Sequence, residues 1–88
     1  MRNSIKYKGK LNVIGPVIRK YRENLGLSQL DLSAKLTLLG IDIPKNSVQR
    51  LENGNRVIKE YELAAIAKIL NVSTDELLKD FRKELDEQ

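Results

Sequence analysis

The chain has 88 residues, of which 41% are hydrophobic and 32% are charged, so it suits one small globular domain rather than a disordered segment. It contains no cysteine and no histidine, which excludes disulfide scaffolds, thiol catalysis, metal sites ligated by those residues and serine-histidine-aspartate chemistry. Sixteen Lys and Arg against twelve Asp and Glu give a net charge of +4, and no apolar run reaches the roughly 18 residues of a membrane helix. We therefore expect a cytoplasmic binding domain that is not an enzyme and has no cofactor, metal or membrane partner.

The positive charge is concentrated in the body of the chain. Residues 1–72 carry 13 basic and six acidic side chains, whereas residues 73–88 carry three basic and six acidic ones. This asymmetry predicts that the body faces a polyanion and that the acidic end points elsewhere. Four basic residues, Arg2, Lys6, Lys8 and Lys10, precede any clear apolar pattern. We expect a flexible basic arm over residues 1–11 and a single domain over 12–88, although a merely solubilising terminus would have the same composition.

The first predicted helix begins between Asn12 and Gly15, because Pro16 is tolerated only in a first turn. Asn12 is a candidate N-cap, and Gly26 is a C-terminal stop. Apolar residues at helical spacing form one stripe, which comprises Ile14, Val17, Ile18, Tyr21 and Leu25.

The second predicted helix opens at Ser28, an N-cap candidate with Asp31 at the capping-box position, and ends at Gly40. The segment that follows is a connector, because Ile43 precedes a proline and is biased to an extended conformation. A short third helix is predicted from about Pro44 or Lys45 to Glu52, with Val48 and Leu51 facing inward.

Two more helices complete the chain. The fourth is predicted over 60–70 and ends at Asn71, with Leu63, Ile66, Ala67 and Leu70 buried. The fifth is capped by Ser73, with Glu76 at the capping-box position and an apolar side of Leu77, Leu78, Phe81 and Leu85. Since there is no strand signal and no internal repeat, the fold class is all-α.

The outer face of the third helix is unusual. It carries a continuous polar stripe without an acidic residue, in which every side chain can donate hydrogen bonds: Lys45, Asn46, Gln49, Arg50 and Asn53. The DNA major groove admits one helix, Arg and Lys match the acceptors of guanine, and Asn and Gln match the edge of adenine. A face that is merely solvated is the alternative interpretation, and for an isolated helix it is the commoner one.

Candidate phosphate-binding residues flank this stripe. Ser28 and Gln29 lie at a helix N-terminus, where free backbone N–H groups and the helix dipole attract anions. Asn53, Asn55 and Arg56 follow the third helix, with Lys59 just beyond, and can reach the adjacent DNA backbone. Together with the basic body, these donors favour DNA binding over a solvated face.

The stretch from Ile14 to Leu78 resembles the XRE-type, lambda-repressor-like (Cro/repressor) helix-turn-helix domain. Four blocks carry the resemblance: Ile18-Arg19 with Arg22; Gly26-Leu27-Ser28-Gln29 with Leu32; Ser47-Val48-Gln49-Arg50-Leu51-Glu52-Asn53-Gly54; and Ile66-Ala67-Lys68-Ile69-Leu70-Asn71-Val72-Ser73 with Glu76-Leu77-Leu78. The resemblance implies a five-helix DNA-binding domain with the helix-turn-helix at helices 2 and 3.

The resemblance also implies roles for individual positions. Lys45, Asn46 and Arg50, with Gln49 beside them, would read bases. Ser47 and Asn53 would contact the sugar-phosphate backbone, Ser28 would cap helix 2 and touch a phosphate, and Gln29 would hold that phosphate and brace the reading helix. Arg22 and Glu52 would form an ion pair between helix 1 and the reading helix, or else a weak surface pair.

Two departures from the family pattern stand out. Ser33 replaces the usual alanine at a close helix contact, and the region from Leu36 to Ile43 is about five residues longer than usual. Four apolar residues lie in this longer region: Leu38, Leu39, Ile41 and Ile43. Either they fold back onto helices 1 and 4, or they form an exposed patch for a partner.

These observations predict a sequence-specific regulator of transcription that binds double-stranded DNA. We expect a repressor that acts as a homodimer through the C-terminal helix and binds an inverted repeat, because one reading helix covers few base pairs. The alternative is a protein-interaction module on the same fold, of the antitoxin or anti-repressor type.

Overall fold

A computed structural model describes residues 6–87 of the chain. Within that range the secondary structure consists of five α-helices, which confirms the all-α prediction. They are α1 (Gly15–Asn24), α2 (Gln29–Leu38), α3 (Lys45–Glu52), α4 (Glu60–Leu70) and α5 (Thr74–Asp86). No helix in the described range is long and apolar enough to cross a membrane.

The helices begin and end where local signals predict. Ser28 forms a complete capping box with Asp31, and the Ser73 hydroxyl accepts a hydrogen bond from the backbone N–H of Glu76. At the C-termini, the chain turns through positive φ after four of the helices, at Gly26 (+73°), Gly40 (+80°), Gly54 (+79°) and Asn71 (+59°). Glycine and asparagine adopt the left-handed conformation at little cost in free energy, so each of these residues ends the helix before it.

The core lies where α1, α2, α3 and α4 meet, with α5 packed against α4. Its largest fully buried side chains are aliphatic: Ile18, Leu32, Leu36, Ile43, Val48, Leu51, Ile66 and Leu77. Leu63, expected in the core, is only partly buried, and Leu85 remains 49% exposed at the end of α5. The apolar side of α5 is therefore only partly used within the chain.

The long connector between α2 and α3 is divided between core and surface. Ile43 is completely buried and Ile41 is partly buried, whereas Leu38 is 86% exposed and Leu39 is 43% exposed. The Ser33 hydroxyl donates a 2.7 Å hydrogen bond to the Ile43 carbonyl, which fixes the end of the connector just before α3. Neither alternative for the four apolar residues is right as a whole, because two fold inward and two face solvent.

The N-terminal segment does not match the predicted flexible arm over the part that the structure describes. Tyr7 and Lys10 exchange two backbone hydrogen bonds of 2.8 and 2.9 Å and form a tight turn, the N-terminal turn (residues 7–10). The Tyr7 hydroxyl donates to the Glu84 carboxylate at 2.7 Å, and the ring packs edge-on against Phe81 of α5 with centroids 5.2 Å apart. Residues 7–10 are thus anchored to α5, and residues 1–5 of the predicted arm lie outside the described residues.

Candidate nucleic-acid interface

The outer face of α3 presents the four predicted base-reading side chains to solvent. Lys45, Asn46, Gln49 and Arg50 are all exposed, and none of them forms a hydrogen bond or ion pair with another side chain in residues 6–87. Their donor groups are therefore available to a ligand. This placement is the one that the sequence predicts, because the apolar residues of α3, Val48 and Leu51, lie on the opposite face and are buried in the core.

The inner face of α3 explains why so short a helix is held in one orientation. Val48 and Leu51 are almost completely buried, and Glu52 at the helix end is 3% exposed. Eight residues are too few for a stable isolated helix, so burial and contacts with its neighbours must supply the stability of α3. The polar stripe on the outer face is consequently fixed relative to the rest of the domain.

A buried ion pair joins α1 to the C-terminal end of α3. The Arg22 guanidinium donates to both oxygens of Glu52, from Nε at 2.6 Å and from Nη2 at 3.0 Å, and its Nη1 donates to the Leu27 carbonyl at 2.7 Å. The hydrogen bond with Glu52 raises the pKa of Arg22 above its ordinary value, so the guanidinium stays charged. Because both side chains are buried, the alternative of a weak surface pair is wrong for this ion pair.

The N-terminus of α2 meets the end of α3 at the same place. The Gln29 side-chain nitrogen donates a 3.1 Å hydrogen bond to Glu52, and this contact supports α3 as the family resemblance implies. The side-chain oxygen of Gln29 takes no part in that hydrogen bond. The Ser28 hydroxyl accepts from the backbone N–H of Asp31 at 2.9 Å, so its own proton remains available to a second acceptor. The hydrogen bond from the backbone N–H of Ser28 lowers the pKa of Asp31, which keeps that carboxylate charged in the capping box.

The residues predicted to contact the DNA backbone differ in whether the protein already binds their side chains. Asn53 and Asn55 are exposed, and Ser47 on α3 is half-buried. Arg56 instead donates to both oxygens of Glu62, from Nη1 at 2.9 Å and from Nη2 at 3.1 Å. Its guanidinium is therefore directed toward the start of α4, which sequence spacing did not indicate.

Glu62 is the buried anchor of this segment, at 4% exposure. It also accepts a hydrogen bond from the backbone N–H of Lys59 at 2.9 Å. Burial acts to raise the pKa of Glu62, but the hydrogen bonds from Arg56 and Lys59 outweigh it and the pKa lies below its ordinary value. The carboxylate is therefore charged at neutral pH and fixes the loop between α3 and α4.

Asn12 is a positioning residue, although it is not the N-cap of α1 as predicted: that position is occupied by Ile14. The Asn12 side-chain oxygen accepts from the backbone N–H groups of Ile14 and Gly15 at 3.1 and 2.7 Å, just before and at the start of α1. Its side-chain nitrogen donates to the carbonyls of Leu51 and Arg56 at 3.0 and 2.8 Å. One amide thus ties the start of α1 to the end of α3, and the sequence does not indicate its contacts with Leu51 and Arg56.

Gly15 lets α1 approach α3 closely. A Cβ atom at this position would overlap the backbone carbonyl oxygen of Leu51 and lie 2.8 Å from that of Glu52. No side chain could be accommodated without moving one helix. The close contact complements the Arg22–Glu52 pair in fixing the end of α3.

Taken together, two short helices joined by a connector, the second with an exposed polar outer face, define a helix-turn-helix DNA-binding fold. A family model described as helix-turn-helix matches residues 18–77, which is more than half of the chain. The chain belongs to this family, the XRE, lambda-repressor-like type of DNA-binding transcription regulator. No match was found among curated proteins or among solved structures. Within residues 6–87 there is no cluster of acidic side chains arranged to hold a metal ion.

Proposed function

We propose that this protein is a sequence-specific repressor of transcription that binds double-stranded DNA by laying α3 in the major groove. One observation carries the proposal: the outer face of α3 holds four exposed hydrogen-bond donors without protein partners in the described range, while its inner face is buried. Donor groups on a rigid helix can discriminate base edges, because their positions are set before binding.

The proposed base-reading residues are Lys45, Asn46, Gln49 and Arg50. Arg50 and Lys45 suit the guanine acceptors, and Asn46 and Gln49 suit the adenine edge. Lys45 is the first residue of α3 and follows the long connector, so its position depends most on that connector. The hydrogen bond from Ser33 to the Ile43 carbonyl supports a fixed position for it.

The proposed phosphate contacts surround this helix. On α2 they are the Ser28 hydroxyl and the Gln29 amide, next to backbone N–H groups that no helical carbonyl can satisfy. Around α3 they are Ser47, Asn53 and Asn55. For Arg56 we propose a different role, because both terminal nitrogens of its guanidinium bind Glu62 and hold the loop that carries Asn55.

We further propose that two copies associate through α5 on an inverted repeat. Leu85 on α5 is half exposed and gives this helix an apolar edge. Because α5 is acidic, we expect this helix to face away from the DNA. Two half-sites one helical turn apart, about 34 Å, would double the bases that are read.

The test uses the wild-type protein to select bound duplexes from a random library. It then measures how tightly Arg50→Ala and Asn46→Ala bind the selected duplex. Each truncation should weaken binding to the selected site by about 1–3 kcal/mol, roughly 5- to 150-fold, and relax the preference at one base position. Arg82→Ala on α5 is the matched control and should keep the base preference. Unchanged base preferences in both α3 variants, with normal helicity, would reject α3 as the reading helix.

One observation favours the second candidate, a protein-interaction module. Leu38 and Leu39 are exposed beside Lys35 and Lys68, along an open groove of about 300 Å³ that ends on Ile69. Such a patch suits an acidic, apolar segment of a partner protein. A complex that Leu38→Asp abolishes, combined with DNA binding that lacks a steep salt dependence, would favour this candidate over DNA recognition.

A further inference from the structure

The N-terminal turn brings a lysine to the edge of the proposed DNA interface. The Lys10 ammonium donates a 3.2 Å hydrogen bond to the backbone carbonyl of Asn53, the residue that caps the C-terminus of α3. Asn53 is exposed and is one of the proposed phosphate contacts. Lys10 is therefore adjacent to the DNA-facing surface although it lies more than 40 positions away in sequence.

Contacts on both sides of Lys10 fix the backbone that carries it. On one side, Tyr7 binds Glu84 and packs on Phe81 of α5. On the other side, the backbone N–H of Leu11 donates to the Gly54 carbonyl at 2.8 Å. The Lys10 stem also lies over Gly54, where a Cβ atom would come within 2.8 Å of its Cδ. The ammonium is thus held near the end of α3 by several independent contacts.

The charge of Lys10 is not compensated by a carboxylate in the described part of the chain. An open groove of about 450 Å³ separates the N-terminal turn from α1 and α3, and its other charged side chains are paired. The pairs are Lys8 with Glu84, Arg19 with Glu23 and Glu52 with Arg22. Among residues 6–87, the Lys10 ammonium makes only the hydrogen bond to a neutral carbonyl, which leaves two of its three N–H donors for another acceptor.

We propose that Lys10 is a further DNA-backbone contact, which binds a phosphate next to the one at Asn53 and which the N-terminal turn holds in position. The inference rests on the proposed function. A phosphate oxygen supplies the missing negative charge, and an ammonium is a suitable partner because it needs no particular orientation. A purely structural role is the competing explanation, since a cation at a helix C-terminus also stabilises the helix.

The experiment measures duplex binding by fluorescence anisotropy as a function of salt, for the wild type, Lys10→Gln and a matched control, Lys20→Gln on α1. Both substitutions remove one positive charge from an exposed side chain. Losing one phosphate contact should reduce the slope of log K against log salt by about 0.9 for Lys10→Gln, which is about eightfold in affinity near 0.1 M salt. The selected duplex and an unrelated duplex should be affected equally, and the Lys20→Gln slope should equal that of the wild type.

Two results would overturn the proposal. One is a Lys10→Gln slope equal to that of the wild type, even with weaker binding or lower thermal stability, because the residue would then act through the fold alone. The other is the same change of slope in Lys20→Gln, because net charge would then explain it. Failure of the proposed function looks different: the wild type itself would show no preferred duplex, and Arg50→Ala would change nothing.

A double-mutant cycle tests the positioning by the turn. Tyr7→Phe removes the hydroxyl that binds Glu84 but keeps the ring against Phe81. If the turn positions Lys10, Tyr7→Phe should weaken DNA binding less than Lys10→Gln does, and the double variant should bind like Lys10→Gln alone. Additive effects would show that the turn does not act through Lys10.

Discussion

At the scale of single residues, Glu52 holds the proposed DNA interface together. It receives hydrogen bonds from Arg22 on α1 and from Gln29 on α2, while its own backbone belongs to α3. One buried carboxylate therefore sets the relative positions of three helices. The side chain that reaches solvent beside it, Gln29, is also a proposed phosphate contact.

Arg22→Ala should lower the free energy of unfolding by about 3–5 kcal/mol, because it leaves a buried carboxylate without its cation. Arg19→Ala is the matched control, since it breaks the exposed pair with Glu23 and should cost less than about 1 kcal/mol. Chemical denaturation of both variants measures the difference. Equal costs would contradict the view that the Arg22–Glu52 pair acts as a buried constraint.

At the scale of elements, the long connector is the main departure from the family pattern, because extra residues before α3 could shift the proposed reading helix. Two contacts fix the end of the connector. Ile43 is buried in the core, and the Ser33 hydroxyl donates a 2.7 Å hydrogen bond to the Ile43 carbonyl. Ser33 stands where the family usually has alanine. Its departure from the pattern and the longer connector are thus two parts of one arrangement.

Ser33→Ala should destabilise the fold by about 1–3 kcal/mol, since it leaves a buried carbonyl without a partner. The position tolerates alanine sterically, so the loss reports on the hydrogen bond alone. Thr37→Ala is the control: its hydroxyl binds the Ser33 carbonyl within the same helix, and it should cost less. Thermal unfolding of the two variants measures the two losses of stability. A smaller loss for Ser33→Ala than for Thr37→Ala would show that the connector keeps its position without the Ser33 hydrogen bond.

The helices were predictable and several long-range contacts were not, for a physical reason. Helix ends depend on nearby residues such as Ser28, Ser73 and Asn71, whose capping preferences are local. The outward direction of the α3 stripe follows from the helical period. In contrast, no residue near Tyr7 indicates that its hydroxyl contacts Glu84, 77 positions away. Likewise, no local pattern indicates that both terminal nitrogens of the Arg56 guanidinium donate hydrogen bonds to Glu62.

At the scale of the whole molecule, charge is arranged in two regions. The body of the chain is basic, and the acidic α5 lies against α4 and the N-terminal turn, where Glu84 binds Tyr7 and Lys8. Hydrogen bonds from these two residues lower the pKa of Glu84, as those from Tyr21 and Lys79 lower that of Glu76. Carboxylates that stabilise the fold in their charged form are thus spread over α4 and α5.

Stability should fall in acid. A carboxyl group whose pKa is depressed in the folded state stabilises the fold above its unfolded pKa, and that stabilisation is lost as the pH falls through the folded value. For Glu62 the loss therefore begins below the ordinary glutamate value of 4.5. Denaturation between about pH 7 and pH 3 should show constant stability at first and then a decline, with a smaller decline in Glu62→Gln. An identical acid slope in this variant would contradict the assigned role of Glu62.

The amide of Asn12 has a consequence for how the protein meets its target. Because this amide, the Arg22–Glu52 pair and the buried Val48 all hold the eight-residue α3, we expect that helix to unfold together with the domain rather than alone. The proposed binding surface is then already assembled in the free protein. Association with DNA should cost little entropy for ordering the backbone, so attraction between opposite charges should govern how fast encounters become productive.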